Sequence, residues 1–216
     1  MELGYISSLE NIFMSFNNIW GTIPSTFGML SMLRSVEIRQ TNVTGTFPAF
    51  LLRTTSLINL VISMNRLYGT IPSVSRLSSL TNLDVTQNAF TGSIPGLPTS
   101  ITDLDLSENK FTNRLPASFQ SLTRLRTFLV HRNLLTGSLP DSFKAFPNLS
   151  IFSVNKNMLT GTISPEIWAL PRLTLLGLGG NKFQGSLSGI GASASLQGLS
   201  VNNNNFSGSI PTDIGR

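Results

Sequence analysis

Apolar residues recur along this chain in one order, LxxLxLxxNxLxGxIP, with polar residues between them. Copies open at Leu9, Leu33, Leu57, Leu80, Ile101, Leu125, Leu149, Leu173 and Leu196, at intervals of 21 to 24 residues. Three and five residues after each opening the chain is apolar, as at Leu60 and Ile62, Leu83 and Val85, and Leu199 and Val201. Their neighbours are mostly polar, and that alternation is the period of a strand with one buried face. A fixed period in the twenties means stacked units, none of which buries its apolar face alone. The pattern therefore predicts one continuous parallel sheet, with strands about 4.8 Å apart.

Eight residues after the opening stands an asparagine: Asn17, Asn65, Asn88, Asn109, Asn133, Asn157, Asn181 and Asn204. A side-chain amide placed inside each turn can satisfy backbone groups that no ladder reaches. The second repeat breaks this row with Thr41, which has fewer bonds to offer, and a local weak point is expected there. Twelve residues after the opening is glycine, replaced once by Asn113. Glycine and then asparagine are the residues that best tolerate positive φ, so a tight turn is expected at this position. Proline follows three residues later in seven repeats, from Pro24 to Pro211, and predicts a stiff return path with no strong hydrogen-bonded edge.

These repeats resemble the plant-type leucine-rich repeat, marked by segments such as LTGSLP at 135–140, LTGTIS at 159–164 and FSGSIP at 206–211. The resemblance covers essentially all of residues 1–216, read as one domain. It implies an α/β-type repeat solenoid, uncapped, with a parallel β-sheet on its concave face and irregular, 3-10 or short helical segments on its convex side. It also implies non-catalytic ligand recognition through the concave face, as in receptor-like kinases and receptor-like proteins, at the cell surface or outside the cell. The expected partner is a peptide or protein, or else a cell-wall polysaccharide or a secreted enzyme. Two alternatives stay open. One is an inhibitor of a secreted polysaccharide-degrading enzyme, as in the polygalacturonase inhibitors. The other is a surface antigen of the protist type without a defined ligand.

Composition sharpens the picture in three places. With 40% apolar residues and only 12% charged, the chain can fill a long repeat core. No apolar run approaches the roughly 18 residues of a membrane span. Cysteine is absent, although plant-type ectodomains usually carry a cysteine pair in a cap at each end. The opening LGYISSLE reads as the tail of an earlier repeat and the closing IPTDIGR stops within the ninth, without caps or a signal peptide. A piece of a longer protein is therefore expected.

The formal charge is +5, but its placement matters more than its sum. Residues two, four, six and seven after each opening are expected on the concave face. There Glu37, Asp84, Asp103, Asp105 and Glu108 outnumber Arg39, Arg132 and Lys156. A nucleic-acid reader needs a basic binding surface, so that class is excluded.

Asp84 and Asp105 share one position of adjacent strands and should lie about 5 Å apart, with Asp103 beside them. This acidic cluster suits a basic ligand or a calcium ion, and a solvated face would look the same. The spacing also matches that of a retaining glycosidase pair, but an open sheet offers no enclosed pocket. His131, Arg132 and Lys156 continue the face with the opposite sign, which suits a polar partner. With one histidine and no cysteine, neither a histidine-held metal site nor a catalytic triad is expected, and no motif requires a cofactor. Phe13 and Phe16 are candidate aromatic anchors, and Leu129, Ile151 and Leu175 a candidate apolar strip.

Three remaining motifs carry less weight. Gly189, Gly191 and Ala194 match a dinucleotide fingerprint, but they fall on a convex return without the strand-to-helix context that chemistry needs. Sequons at Asn42, Asn148 and Asn205 would place glycans on exposed turns. Yet 19 Asn and 50 Ser or Thr produce about four sequons by chance. Hydroxyls flank the glycine in Thr44-Gly-Thr46, Thr91-Gly-Ser93, Thr136-Gly-Ser138 and Thr160-Gly-Thr162. Such rows can template ordered water and suggest an ice-binding surface, although the ordinary repeat produces them too.

Overall fold

The computed structural model describes residues 5–212. One three-residue strand per repeat, from Asn11–Phe13 to Gly198–Ser200, joins a nine-stranded parallel sheet in chain order. Each strand forms where an apolar residue stands three positions after the opening, and these residues lie in register. Ile12 pairs with Val36, Leu60 with Leu83, Leu104 with Phe128, and Leu176 with Leu199. Leu60, Leu83, Phe128, Phe152 and Leu176 have no accessible surface, so their column is the spine of the core. Truncating one to alanine is expected to cost about 2–5 kcal/mol. In repeats five to seven phenylalanines thicken that spine. Phe128 packs on Phe119 at 4.6 Å and on Phe152 at 5.3 Å between ring centroids.

The asparagine row works as the sequence predicts. The Asn133 Oδ1 accepts from the N–H of Phe111 at 2.9 Å, and its Nδ2 donates to the Leu106 and Val130 carbonyls at 3.0 and 3.2 Å. Asn88, Asn109, Asn157, Asn181 and Asn204 repeat that geometry. At the break, Thr41 cannot donate to the Met14 carbonyl, which among the described residues is reached only by Asn17 of its own repeat at 3.2 Å. Thr41 instead leans on Asn65, donating to its Oδ1 at 2.7 Å.

The glycine row is also as expected. Gly92 has φ +81°, and a Cβ there would stand 2.9 Å from the Thr70 methyl. Asn113 adopts φ 66° in glycine's place.

The flank differs from the expectation of an edge without hydrogen bonds. A second row of strands, Trp20–Thr22, Asn42–Gly45, Arg66–Thr70, Ala89–Gly92 and Lys110–Phe111, forms a five-stranded parallel sheet just before the prolines. A four-stranded sheet continues the row from Thr136–Gly137 to Asn205–Phe206. In the inner repeats the residue ten positions after the opening turns inward here, as Leu67, Phe90, Phe111 and Leu135 do, between less buried neighbours. The prolines end these strands rather than preventing them.

On the convex side the return path carries short 3-10 segments such as Ser25–Met29, Ala49–Arg53 and Ala117–Ser121. Repeat six has a bare turn there. Glu166 of the next repeat ties it down, accepting from the Ser142 hydroxyl at 2.8 Å and the Phe143 N–H at 3.0 Å. Among the described residues no helix is long and apolar enough to cross a membrane.

Candidate functional site

The solvent face of the nine-stranded sheet is narrower than the sequence predicts. Each strand ends four residues after its opening, and the residue seven positions after has a positive φ in every repeat. Phe16 (59°), Glu108 (54°), Arg132 (55°) and Lys156 (54°) are therefore posts on a left-handed turn beside the sheet, not strand residues on it. The turn swings the following asparagine into the core. Sequence reasoning missed it because only Gly180 in this row is a glycine.

Several residues six positions after the opening are covered, although Arg39 and Asn202 are exposed. Ser63 and Ser107 have no accessible surface, because side chains of the next repeat lie over them. Ser63 Oγ donates to Asp84 Oδ2 at 2.8 Å, and Ser107 Oγ meets His131 Nδ1 at 2.8 Å.

At the acidic end, Glu37, Arg39, Asp84, Asp103 and Asp105 line one open groove of about 440 Å³ together with Phe16, Asn59 and Asn82. Register pairing sets Asp84 beside Asp105 and Asn82 beside Asp103. The Asn82 Nδ2 donates to Asn59 Oδ1 at 2.6 Å, and the Asn59 Nδ2 donates to Glu37 Oε1 at 2.7 Å. An amide relay thus crosses repeats two to four.

Burial pushes the Asp84 carboxyl above its usual range. The Thr86 N–H and the Ser63 hydroxyl pull it back, Asp105 adds repulsion and Arg39 relieves it. Asp105 Oδ1 accepts from the Thr86 hydroxyl at 2.7 Å and the Ser107 N–H at 2.9 Å. Asp103 Oδ2 accepts from the Thr102 hydroxyl at 2.8 Å. With their oxygens spread among these donors, the carboxylates do not converge. Among the described residues no three Asp, Glu or His side chains form a cation cage, which corrects the calcium alternative.

At the other end, Glu108, His131, Arg132 and Lys156 line a second groove of about 340 Å³ with Asn155, Gly179, Gly180, Ser200, Asn202 and Asn203. His131 stands between Ser107 and Glu108, its Nε2 3.9 Å from Glu108 Oε1. Serine, histidine and carboxylate in line have the outline of a nucleophile and its base, but the serine is wholly buried and no substrate can reach its Oγ.

The structure separates the other candidates. Phe13 and Phe16 are 66% and 68% exposed, with Phe13 in register with Glu37. Ile151 and Leu175 are paired across adjacent strands, whereas Leu129 pairs with Asp105 and Ser153, so the apolar strip is two residues wide.

The three sequons do not share an exposed turn. Asn42 lies in a flank strand, half-buried, its amide donating to Asn18 Oδ1 at 2.8 Å. Asn148 is half-buried and accepts from Arg172 at 3.1 Å. Asn205 alone is exposed, again in a flank strand. The amides at Asn59, Asn82, Asn155 and Asn202 were not singled out from sequence. For Asn59 and Asn82 the signal was an asparagine at one strand position in consecutive repeats, and for Asn155 and Asn202 an asparagine six residues after the opening in repeats seven and nine, both hidden by the more regular asparagine row.

The leucine rich repeat family pattern matches residues 8–30, 100–122 and 195–216. Receptor-like protein 31 of Arabidopsis thaliana is 33% identical over 89 residues, 40% of this chain and 10% of that protein. Among solved structures, the plant peptide hormone receptor RGFR1 in complex with RGF2 superimposes with a TM-score of 0.95 at 34% identity, covering 99% of this chain and 35% of that one. A plant ice-binding protein superimposes with a TM-score of 0.82 at 29% identity, covering 97% of this chain and 69% of that one. The chain thus spans about a tenth of the curated relative and about a third of the receptor.

Proposed function

As a leucine-rich repeat protein of the plant type, this chain lends itself to one function above others, and we propose that it is a recognition arc that binds a peptide or protein segment without chemistry of its own. The observation that carries this reading is the polarity of the sheet face. Carboxylates and amides occupy the groove over repeats two to five, and Arg132 and Lys156 stand over repeats six and seven. A preformed surface of changing sign orients a polar chain and loses little entropy on association. The resemblance to receptors, one of them solved with a peptide hormone, supports the same ligand class and a place at the cell surface.

Panning a random peptide library on the folded protein tests this. Cationic sequences are expected to be enriched, and Asp105→Lys is expected to weaken the selected peptides about tenfold or more. Equal binding by the Asp105→Lys protein overturns the assignment.

A second reading rests on the flank. Thr22, Thr46, Thr70 and Ser93 stand exposed in a row one residue past the positive-φ glycines, and a protein of this fold binds ice. Arg114 interrupts the row, its stem lying where a Gly137 side chain would be, and the flank sheet divides at the same place. That interruption favours the recognition arc. Inhibition of ice recrystallisation that is lost in Thr70→Tyr would reverse the preference.

A further inference from the structure

Repeat eight puts no side chain where its neighbours put one. Four, six and seven residues after Leu173 come Gly177, Gly179 and Gly180. Amides have moved into the space over the first two. A Cβ at Gly177 would meet the Asn155 amide, and one at Gly179 would stand 2.5 Å from Asn202 Oδ1. The result is a notch with a polar floor. Lys156 leans against it from repeat seven, its Cγ 3.3 Å from where a Gly180 Cβ would be, and Asn202 and Asn203 bound it from repeat nine. Repeats seven and nine stand about 10 Å apart, roughly the width of one pyranose ring with its hydroxyls.

The groups around the notch have bonds to spare. Arg132 and Lys156 form no ion pair among the described residues, where the pairs are Arg34 with Glu10, His131 with Glu108 and Lys144 with Glu166. Asn155 is committed, accepting from the Gly179 N–H at 2.6 Å and donating to Ser153. Asn202 Oδ1 accepts from Ser200 at 2.8 Å, but its Nδ2 and the Asn203 side chain make no hydrogen bond to the described residues. Two unpaired cations beside free amides suit a ring rich in hydroxyls that carries a negative charge, and Glu108, the one carboxylate lining the same groove, stands beside His131.

We propose that the repeat-eight notch binds an acidic saccharide. A sugar carboxylate would meet Lys156 and Arg132, and the ring hydroxyls would meet Asn202 and Asn203. This site shares Arg132 and Lys156 with the basic end of the surface assigned to a peptide, but uses none of the acidic groove over repeats two to five.

The test is calorimetric titration of the intact chain with trigalacturonate, with maltotriose as the neutral sugar and triglutamate as the acidic peptide. Trigalacturonate is expected to bind, and the other two to bind at least tenfold more weakly. Gly180→Gln fills the notch on a backbone conformation that Gln40 and Gln87 already adopt in repeats two and four. It is expected to abolish binding. Lys156→Gln is expected to weaken it roughly tenfold, and Arg53→Gln, on the convex side, to leave it unchanged. No binding of trigalacturonate, equal binding of maltotriose or triglutamate, or undiminished binding by Gly180→Gln would each overturn the proposal.

Discussion

Single residues in this protein matter mainly through the backbone groups they satisfy or strain. Asn157 answers four of them, taking one N–H and supplying the Val130, Val154 and Asn155 carbonyls. Asn157→Ala strands buried groups of two repeats and is expected to cost about 3 kcal/mol in chemical denaturation. Thr41→Asn supplies a donor to the Met14 carbonyl and should gain about 1 kcal/mol at the N-terminal end.

Gln87 is exposed and carries φ 52°. Gln87→Gly is expected to raise stability by about 1 kcal/mol by relieving that backbone, and Gln87→Val to lower it.

Asp84 provides a pH signature. Its folded carboxyl titrates above the unfolded value, so the folded state holds the proton more tightly. Its contribution to stability is greatest below the ordinary carboxylate range and is lost as pH rises through the raised value. Asp84→Asn is accordingly expected to raise the denaturation midpoint at pH 7. The gain should vanish when both proteins are compared at a pH below 3.8.

Elements were unequally legible in the sequence. The inner strands were plain, because an apolar residue such as Leu60 or Leu83 fixes both the strand and its register. The flank strands were not. They also read as one inward residue, Phe90 or Phe111, between solvent-facing neighbours, but the proline that follows drew attention to where pairing stops rather than where it occurs. The positive-φ posts could not be read at all. Residues as different as Met64 and Arg132 occupy them, since the turn is imposed by burying the next asparagine and not by any preference of the post. Glu37, Asp84, Asp103 and Asp105 stand on strands as expected from their spacing, but that Glu108, Arg132 and Lys156 stand on posts beside the strands required coordinates.

For the molecule as a whole, contacts run between neighbouring repeats, so damage should stay local. Leu83→Ala removes a fully buried side chain at the centre of the sheet. Faster amide exchange is expected in repeats three to five, with little change in repeats eight and nine. Uniform loss of protection along the chain would instead mean a single cooperative unit.

The row of posts also bears on how such a protein can change over generations. The described turns hold Phe16, Gln40, Met64, Gln87, Glu108, Arg132, Lys156, Gly180 and Asn203 on nearly the same backbone. Each post accepts aromatic, neutral, acidic or basic chemistry at nearly the same conformational cost. Selection can therefore rewrite what the arc prefers one post at a time, while the asparagines and leucines behind it stay as they are. Drift at these nine positions should outpace drift in the rest of the repeat, and new partners can be acquired without passing through an unfolded ancestor.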